Sequence, residues 1–416
     1  MILFIARQIP HPPDSGLRIR QQHLLRAFAS VAEVQLLFSY TNESELEGVS
    51  ALEPICSSIH AVEMDWRGKA VAPGPAQWRH DLMRAGELRS FRRHLFFSDA
   101  MRRAVEKLSA RCRLIHVDNL HLAPCVQGML ERRQRRHRLM LDLDDIETLV
   151  SRRALGLAQP AAFPAQLVDL ALLAGEQRRA LRAFDRVLAA SEHDRRRLGG
   201  RRNVHVVPNG VDVRNRPLAD DSDGQTILCL ATYGWSPNVD GLRFFLRDVL
   251  PLIRRAMPTV RTLVVGRDIP AEVQALEDGA GLRVHPDVAS VEPFYRQATI
   301  SVVPLRVAGG TRLRILESFA MGRPVVSTTV GCEGLEASHG DELLIADRPR
   351  ELARSCLALL ADRELRSRLT ARAWSLAQRS SWQQSRLRLA ALAVDLLSET
   401  PSTMAATSSE ARAESP

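Results

Sequence analysis

The sequence predicts two doubly wound α/β domains, each a parallel sheet with helices on both faces. Three observations predict it. Short apolar runs alternate with helical patterns along the chain, as parallel strands joined by crossover helices require. The alternation halts at a polar stretch, RNRPLADDSDGQ (214–225), and then restarts. The 416 residues also exceed what one core comfortably serves. The first domain is therefore expected over 1–212 and the second over 213–381. A last helix, 382–398, is expected to pack back on the first domain.

In the first half MILFIA reads as a strand, LRIRQQHLLRAFASVA as a helix and EVQLLFSY as a strand. RLIHV, RLMLDL and RVLAAS follow as strands, each bounded by turn or charged residues. VHVVPNGVD (204–212) closes this half with a strand and an Asn-Gly turn. In the second half TILCLAT, RTLVVG, RVH, ISVVPL and PVVSTT read as strands. VDGLRFFLRDVLPLIRRAM, SVEPFYRQA and TRLRILESFAMG read as helices between them. Residues 348–398 read as helical, and the tail 399–416, without apolar periodicity, as disordered.

No stretch approaches the roughly 20 uninterrupted apolar residues of a membrane span. MILFIARQIPHPPDSG lacks a basic leader and a small-residue cleavage site, so it reads as a buried strand and not a signal peptide. Six scattered cysteines without a Cys-x-x-Cys pair point away from disulfides and structural zinc, towards buried thiols in a reducing cytoplasm. The net charge is +9, and all but two of the 57 cations (Lys69 and Lys107) are arginine. That excess favours anionic partners such as nucleotides, lipid phosphates or an acidic membrane surface. RRQRRHR (132–138) has no aromatic interleaving. It reads as a solvated connection or a contact with anionic lipid heads, and not as a nucleic-acid patch.

The densest chemistry lies in PLRVAGGTRLRILESFAMGRPVVST (304–328). A strand ends at Pro304, and Gly309 and Gly310 let the backbone turn and let a ligand come close. Thr311 is the expected cap of the next helix, whose free N–H groups favour a phosphate. Arg312 and Arg314 are cations at a helix N-terminus, an arrangement that is unfavourable unless an anion sits there. Glu317, further in, suits sugar hydroxyls. PPDSG, with Ser15 and Gly16, places a second glycine loop between the first strand and helix, where Asp14 or Ser15 can also cap. Arg18 and Arg20 read as surface residues, with Arg18 close enough to that loop to touch a phosphate or an acceptor.

With PHPPDSGLRIRQQHLLRAFA (10–29), LDLDDIE (141–147), LAASEHDRRRL (188–198), VVPNGVD (206–212), YGWSPNVDGLRFF (233–245), VVGRDIP (264–270) and VGCEGL (330–335), the motif set resembles retaining glycosyltransferases of family 4. The resemblance covers the chain to about residue 398 and lies with the branch that builds bacterial exopolysaccharide and cell-surface glycans. It implies a GT-B fold, two Rossmann-like domains facing across a cleft. The first would bind the acceptor and the second a nucleotide-sugar donor. It further implies donor contacts at Ser15, Gly16, Gly266, Arg267, His285, Val288, Gly309, Gly310, Thr311, Arg312, Arg314 and Glu317, the last as ribose ligand. Catalytic roles fall to Glu317, Arg314, Arg312 and Asp144, and acceptor contacts to Arg18, His121 and Asp145. No metal or cofactor is implied, and the location implied is cytoplasmic, peripheral at the inner membrane.

Three departures stand out. The family's first glutamate, separated by seven intervening residues from the one matching Glu317, is replaced by Gly309. The loop ATYGWSPNVDG (231–241) lacks the arginine and lysine that often meet the diphosphate, so Arg312 and Arg314 inherit that role. Asp144 and Asp145 stand where many members have a histidine; they suit a sugar or acceptor contact, or equally a strand-end turn and helix cap. The alternatives to transfer are a nucleotide-sugar epimerase on the same fold and a non-catalytic nucleotide-sugar-binding protein.

Overall fold

The computed structural model describes residues 1–64, 98–131, 136–157, 160, 162–213, 222–279 and 281–399. Most of the expected linker, the first four residues of RRQRRHR and all but the first residue of the expected tail lie outside them.

Two parallel sheets form. The first runs β3-β2-β1-β4-β5-β6-β7. Its strands are β1 Ile2–Ala6, β2 Val34–Tyr40, β3 Ser58–Glu63, β4 Leu114–Val117, β5 Arg138–Leu143, β6 Arg186–Ala189 and β7 Val204–Val206. The second runs β10-β9-β8-β11-β12-β13. Its strands are β8 Thr226–Thr232, β9 Arg261–Arg267, β10 Leu282–Pro286, β11 Ile300–Val303, β12 Val325–Ser327 and β13 Leu344–Ile345. The strand order reverses between β1 and β4, and between β8 and β11, so right-handed crossovers place helices on both faces. ILFIA is buried at every position, as a strand covered on both sides must be.

The helices that position the site are α1 Gly16–Ala29, α2 Asp99–Ser109, α3 Glu147–Leu155, α4 Phe163–Ala183 and α5 Glu192–Arg197 around the first sheet. Around the second are α6 Ser236–Phe244, α7 Leu250–Ala256, α8 Leu313–Ala320, α9 Pro349–Ala361 and α10 Arg363–Arg379. The last, α11 Trp382–Ser398, returns to the first sheet. Its Leu389, Ala393 and Leu396 join Phe4, Leu24 and Phe28 in that core, and Trp382 stacks on His23 at 4.3 Å.

Several local expectations change. The single helix expected over 239–257 is interrupted, because Pro251 has no N–H to give. The chain passes from α6 to α7 through a π turn, Phe245–Val249. The helical stretch 348–398 is divided where Asp362 accepts from Leu365 N and starts α10, and where Ser381 accepts from Gln384 N and starts α11. Residues 207–210 form no turn. A Cβ on Gly210 would lie 2.4 Å from Trp382 N, so glycine is there because two passages of chain touch. All six cysteines are buried and unpaired. Among the described residues, no helix is long and apolar enough to cross a membrane.

Candidate active site between the two sheets

The carboxyl ends of both sheets turn towards one cleft. Ser15 caps α1 by accepting from Arg18 N at 3.4 Å. A Cβ on Gly16 would lie 3.3 Å from Leu313 Cδ1, so the first turns of α1 and α8 meet across the cleft. Thr311 does not cap α8. The helix begins at Leu313 behind an extended Arg312 with no side-chain cap, and Thr311 Oγ1 accepts from Asn209 Nδ2 at 3.0 Å. The first-turn N–H groups of α8 are thereby left open to an anion.

The glycine pair is placed differently from the expectation of a ligand approach. Gly310 has φ +61°, and a Cβ there would lie 2.0 Å from Asp144 O. A Cβ on Gly309 would meet Val150 Cγ2 at 2.9 Å and Ile146 N at 3.2 Å. Both glycines therefore seat the α8 loop against residues 144–150 of the first sheet's side. A glutamate at 309 would be driven into Val150 and Ile146, which accounts for the lost acid in packing terms.

Three arginines stand here in two groups, Arg18 in the first turn of α1 with Arg267 at the end of β9, and Arg312 just before α8. Arg18 donates to Asp14 at 3.1 Å, and Arg267, at the end of β9, donates to the same carboxylate. Neither Arg18 nor Arg20 lies loose on the surface. Arg312 is buried, donates to Asp145 Oδ1 at 3.1 Å and lies over the Trp235 ring at 5.4 Å. The buried Nε atoms of Arg18, Arg267 and Arg312 have no hydrogen-bond partner. A buried guanidinium N–H is rarely left unmade, and a ligand or an ordered water can complete it. Arg314 turns away from them: Nη2 donates to Asn238 Oδ1 at 2.7 Å, and burial, with Arg312 beside it, holds its pKa down to about 10.

The acids behave accordingly. Burial pushes the Asp144 carboxyl up, and the Asp142 charge pushes the same way. Burial also raises Asp145, against the pull of Arg312. Neither caps a helix, since α3 starts behind Ile146 without a side-chain cap. Burial raises Glu317, and Arg314 opposes that shift. His121 does not face an open cleft; it is buried, with Nε2 3.6 Å from Glu147 Oε1. His285 rests on Phe294 at 4.8 Å between ring centres. It pairs in register with Val265, beside Gly266, where φ is +147° and a Cβ would strike Ala231 O. Val288 packs on the small cluster around Tyr295 just beyond. Gly266, Arg267, His285 and Val288 thus share the β9–β10 end, separated by β8 from the α8 loop.

Two networks went unseen in the sequence. Arg20 is 1% exposed. It donates to both oxygens of Asp142 at 2.7 Å, to Val207 O at 3.0 Å and to Asn209 Oδ1 at 2.9 Å. Asn209 then reaches Thr311, so a buried chain of bonds joins the first core to the α8 loop. Arg153 of α3 donates to both oxygens of Glu333, at 2.7 and 2.8 Å, and Arg197 adds a third bond at 2.8 Å. Glu333 belongs to VGCEGL, whose acid carried no such signal. His116, Asp118 and Asp142 bring ligand atoms within 4.8 Å of one another. Arg20 already fills the Asp142 carboxylate and Gln21 holds Asp118 Oδ2 at 2.6 Å. The guanidinium occupies the seat a cation would need.

Comparison with known proteins agrees with the fold. The structure is similar to that of Anabaena HepE in complex with UDP-glucose, with TM-score 0.66 and 14% identity over 95% of this chain and 100% of that one. It is similar also to sucrose-phosphate synthase from Thermosynechococcus elongatus, with TM-score 0.65 and 16% identity over 95% and 99%. The chain has the GT-B fold. TarM of S. aureus, in complex with UDP and alpha-GlcNAc-glycerol, matches the same fold at TM-score 0.63, 11% identity, and 96% and 100% coverage. Residues 224–362 match the family model described as glycosyl transferases group 1. An uncharacterised 44.6 kDa protein of the cps region of Klebsiella pneumoniae is 26% identical over 118 residues. That match spans 26% of this chain and 30% of the relative.

Proposed function

We propose that the protein transfers a sugar from a nucleotide-diphosphate sugar to a hydroxyl of a glycan or polyprenyl-linked acceptor, with retention of configuration. The observation that carries this reading is the set of unpartnered Nε–H groups on Arg18 and Arg267, which share Asp14, and on Arg312, just before the uncapped first turn of α8. A diphosphate supplies the acceptors these donors lack. The match of 224–362 to group 1 glycosyl transferases and the nucleotide complexes of HepE and TarM support the same donor.

In this reading the donor lies against the second sheet, with Glu317 on the ribose and the β9–β10 end near the base. Arg312 and the α8 N–H groups stabilise the leaving diphosphate, while Asp144 faces the sugar and Asp145 the acceptor side. The acceptor hydroxyl attacks the face the diphosphate leaves, and the diphosphate takes its proton. Closure of the cleft excludes water. Arginines neutralise the charge, so chelation of divalent cations is expected to leave turnover unchanged. The +9 charge suits a cytoplasmic protein in peripheral contact with an anionic membrane carrying the acceptor.

The test is incubation with nucleotide sugars, with and without lipid-linked acceptors from a polysaccharide-producing bacterium. The expected product keeps the donor's anomeric configuration by NMR. Epimer formed without acceptor would instead support an epimerase, and tight nucleotide binding without turnover a binding protein.

Arg312→Ala is expected to weaken UDP-sugar binding in titration calorimetry by roughly ten- to a hundredfold, the range for a charge-assisted bidentate contact. Arg314→Ala should cost less, because Asn238 already holds that guanidinium. Equal affinity for wild type and Arg312→Ala would remove the diphosphate from this position.

A pH dependence follows from Asp145. Its folded pKa is raised by burial to about 8. Protonated, it releases Arg312 to the diphosphate; ionised, it competes for it. Donor affinity is therefore expected to rise as pH falls from about 9 to 7, and Asp145→Asn should flatten that profile. The free protein should lose stability as pH rises from about 4, the value of an unfolded aspartate, to about 8, and level off above it.

A further inference from the structure

Seven large apolar side chains are exposed among the described residues, and four of them stand together: Leu157, Phe163, Leu167 and Val168, between 38% and 49% exposed. They lie just before α4 and in its first two turns. Thr148, at the start of α3, donates to Gln177 Oε1 of α4 at 3.0 Å, so α4 runs back along α3. At a rise of about 1.5 Å per residue, about two turns of α4 then project beyond the last residue of α3. Arg153 of α3 reaches Ala308 O and Glu333 on the second half. The apolar tip therefore stands at the flank of the cleft.

The packing of α4 does not use this surface, since the helix is buried through Asp169, Leu173, Ala180 and Leu181. The opposite stripe, Pro164, Val168, Ala171, Gly175, Arg178 and Arg182, repeats at intervals of three and four, which keeps it on one face. Its first half is apolar and its end is basic, with Arg179 adding a third exposed cation. No exposed position of α4 carries an acid. Arg178 donates to Ala174 O inside its own helix, and Arg179 and Arg182 make no hydrogen bond or ion pair with any described residue. An apolar patch that leads into unpaired cations on one helix face is complementary to a surface that is apolar within and anionic at its edge. A second copy of this chain would set arginines against arginines or against leucines, with no carboxylate to receive them.

We infer that α4 is the surface by which the protein docks on an anionic bilayer. Phe163 and Leu167 enter the boundary of the acyl chains, and Arg178, Arg179 and Arg182 meet lipid phosphates. This deepens the membrane contact proposed above and rests on the lipid-linked acceptor of that reading: docked this way, the flank of the cleft faces the bilayer that carries the acceptor.

The full chain is floated with vesicles of phosphatidylcholine alone and of phosphatidylcholine with phosphatidylglycerol. Binding to the anionic vesicles is expected, at least about tenfold tighter than to the neutral ones. Arg178→Ala/Arg179→Ala/Arg182→Ala should weaken it by about fivefold for each arginine removed. Phe163→Gln/Leu167→Gln should weaken it at least about tenfold at unchanged melting temperature. Leu387→Gln/Val394→Gln, which removes exposed apolar side chains of α11, should bind as wild type does. No binding to anionic vesicles, wild-type binding by both α4 variants, or an equal loss in the α11 variant each overturns the proposal. So does a dimer in sedimentation velocity that Phe163→Gln/Leu167→Gln dissolves, which would give the face to a second copy. No nucleotide sugar is present, so the docking surface can fail while the transfer reading stands.

Discussion

Gly310→Ala is expected to lower kcat/KM at least about a hundredfold while leaving both cores folded. At φ +61° an alanine carries the strain of the left-handed region, on the order of 1–2 kcal/mol. The larger effect is steric. Its Cβ would lie 2.0 Å from Asp144 O and 2.6 Å from Asp145 Oδ1, and the first of these is backbone that no rotamer change can move. The α8 loop must back away from residues 144–146 by about 1 Å. A displacement of that size costs about a hundredfold in rate where reacting groups are positioned across a cleft. It also separates Arg312 from Asp145 and the first turn of α8 from that of α1. Gly309→Ala should be milder, because its nearest neighbour is the Val150 side chain. The check is steady-state kinetics on both variants beside their melting curves. Equal activity for the two, or collapse of both melting transitions, would sink the idea that Gly310 sets the closed geometry.

How much of this was legible depends on the kind of residue. Parallel strands such as β1 and β11 are unbroken apolar runs, so alternation with helices exposed both sheets. The edge strand β3 was not read, because SIHAVE is half exposed and carries no apolar run. The helices α2, α3 and α4 were missed too. Ser15 was readable as a cap because capping is local, whereas Thr311 failed as one because a partner 102 residues away claims its hydroxyl. From the sequence Arg20 reads as a surface residue, since hydropathy scores every arginine as polar. Its burial follows only from Asp142, 122 residues on, and no spacing rule carries that information. Glu333 was hidden likewise: its partners Arg153 and Arg197 come together only once α3 and α5 are placed. The cations at α8 were conspicuous because they break a local rule, and a site announces itself most clearly in such conflicts. Which of them points into the cleft needed coordinates.

The same buried arginine carries the largest expected effect on stability. Arg20→Met is expected to destabilise the fold by about 3–5 kcal/mol, the range for removing one partner of a buried pair. The pair itself is a modest net contributor; the loss arises because Asp142, fully buried, is left charged with no donor. Against a total stability of about 5–15 kcal/mol that is a large share. Arg20→Met/Asp142→Asn removes the stranded charge and should recover at least half of the loss in urea denaturation. Asn209 also loses the guanidinium that orients it, and its bond to Thr311 loosens with it. The double variant should therefore regain stability without regaining donor affinity. If both return together, Arg20 serves only the core, and the chain of bonds from Asp142 to Thr311 does not position the α8 loop.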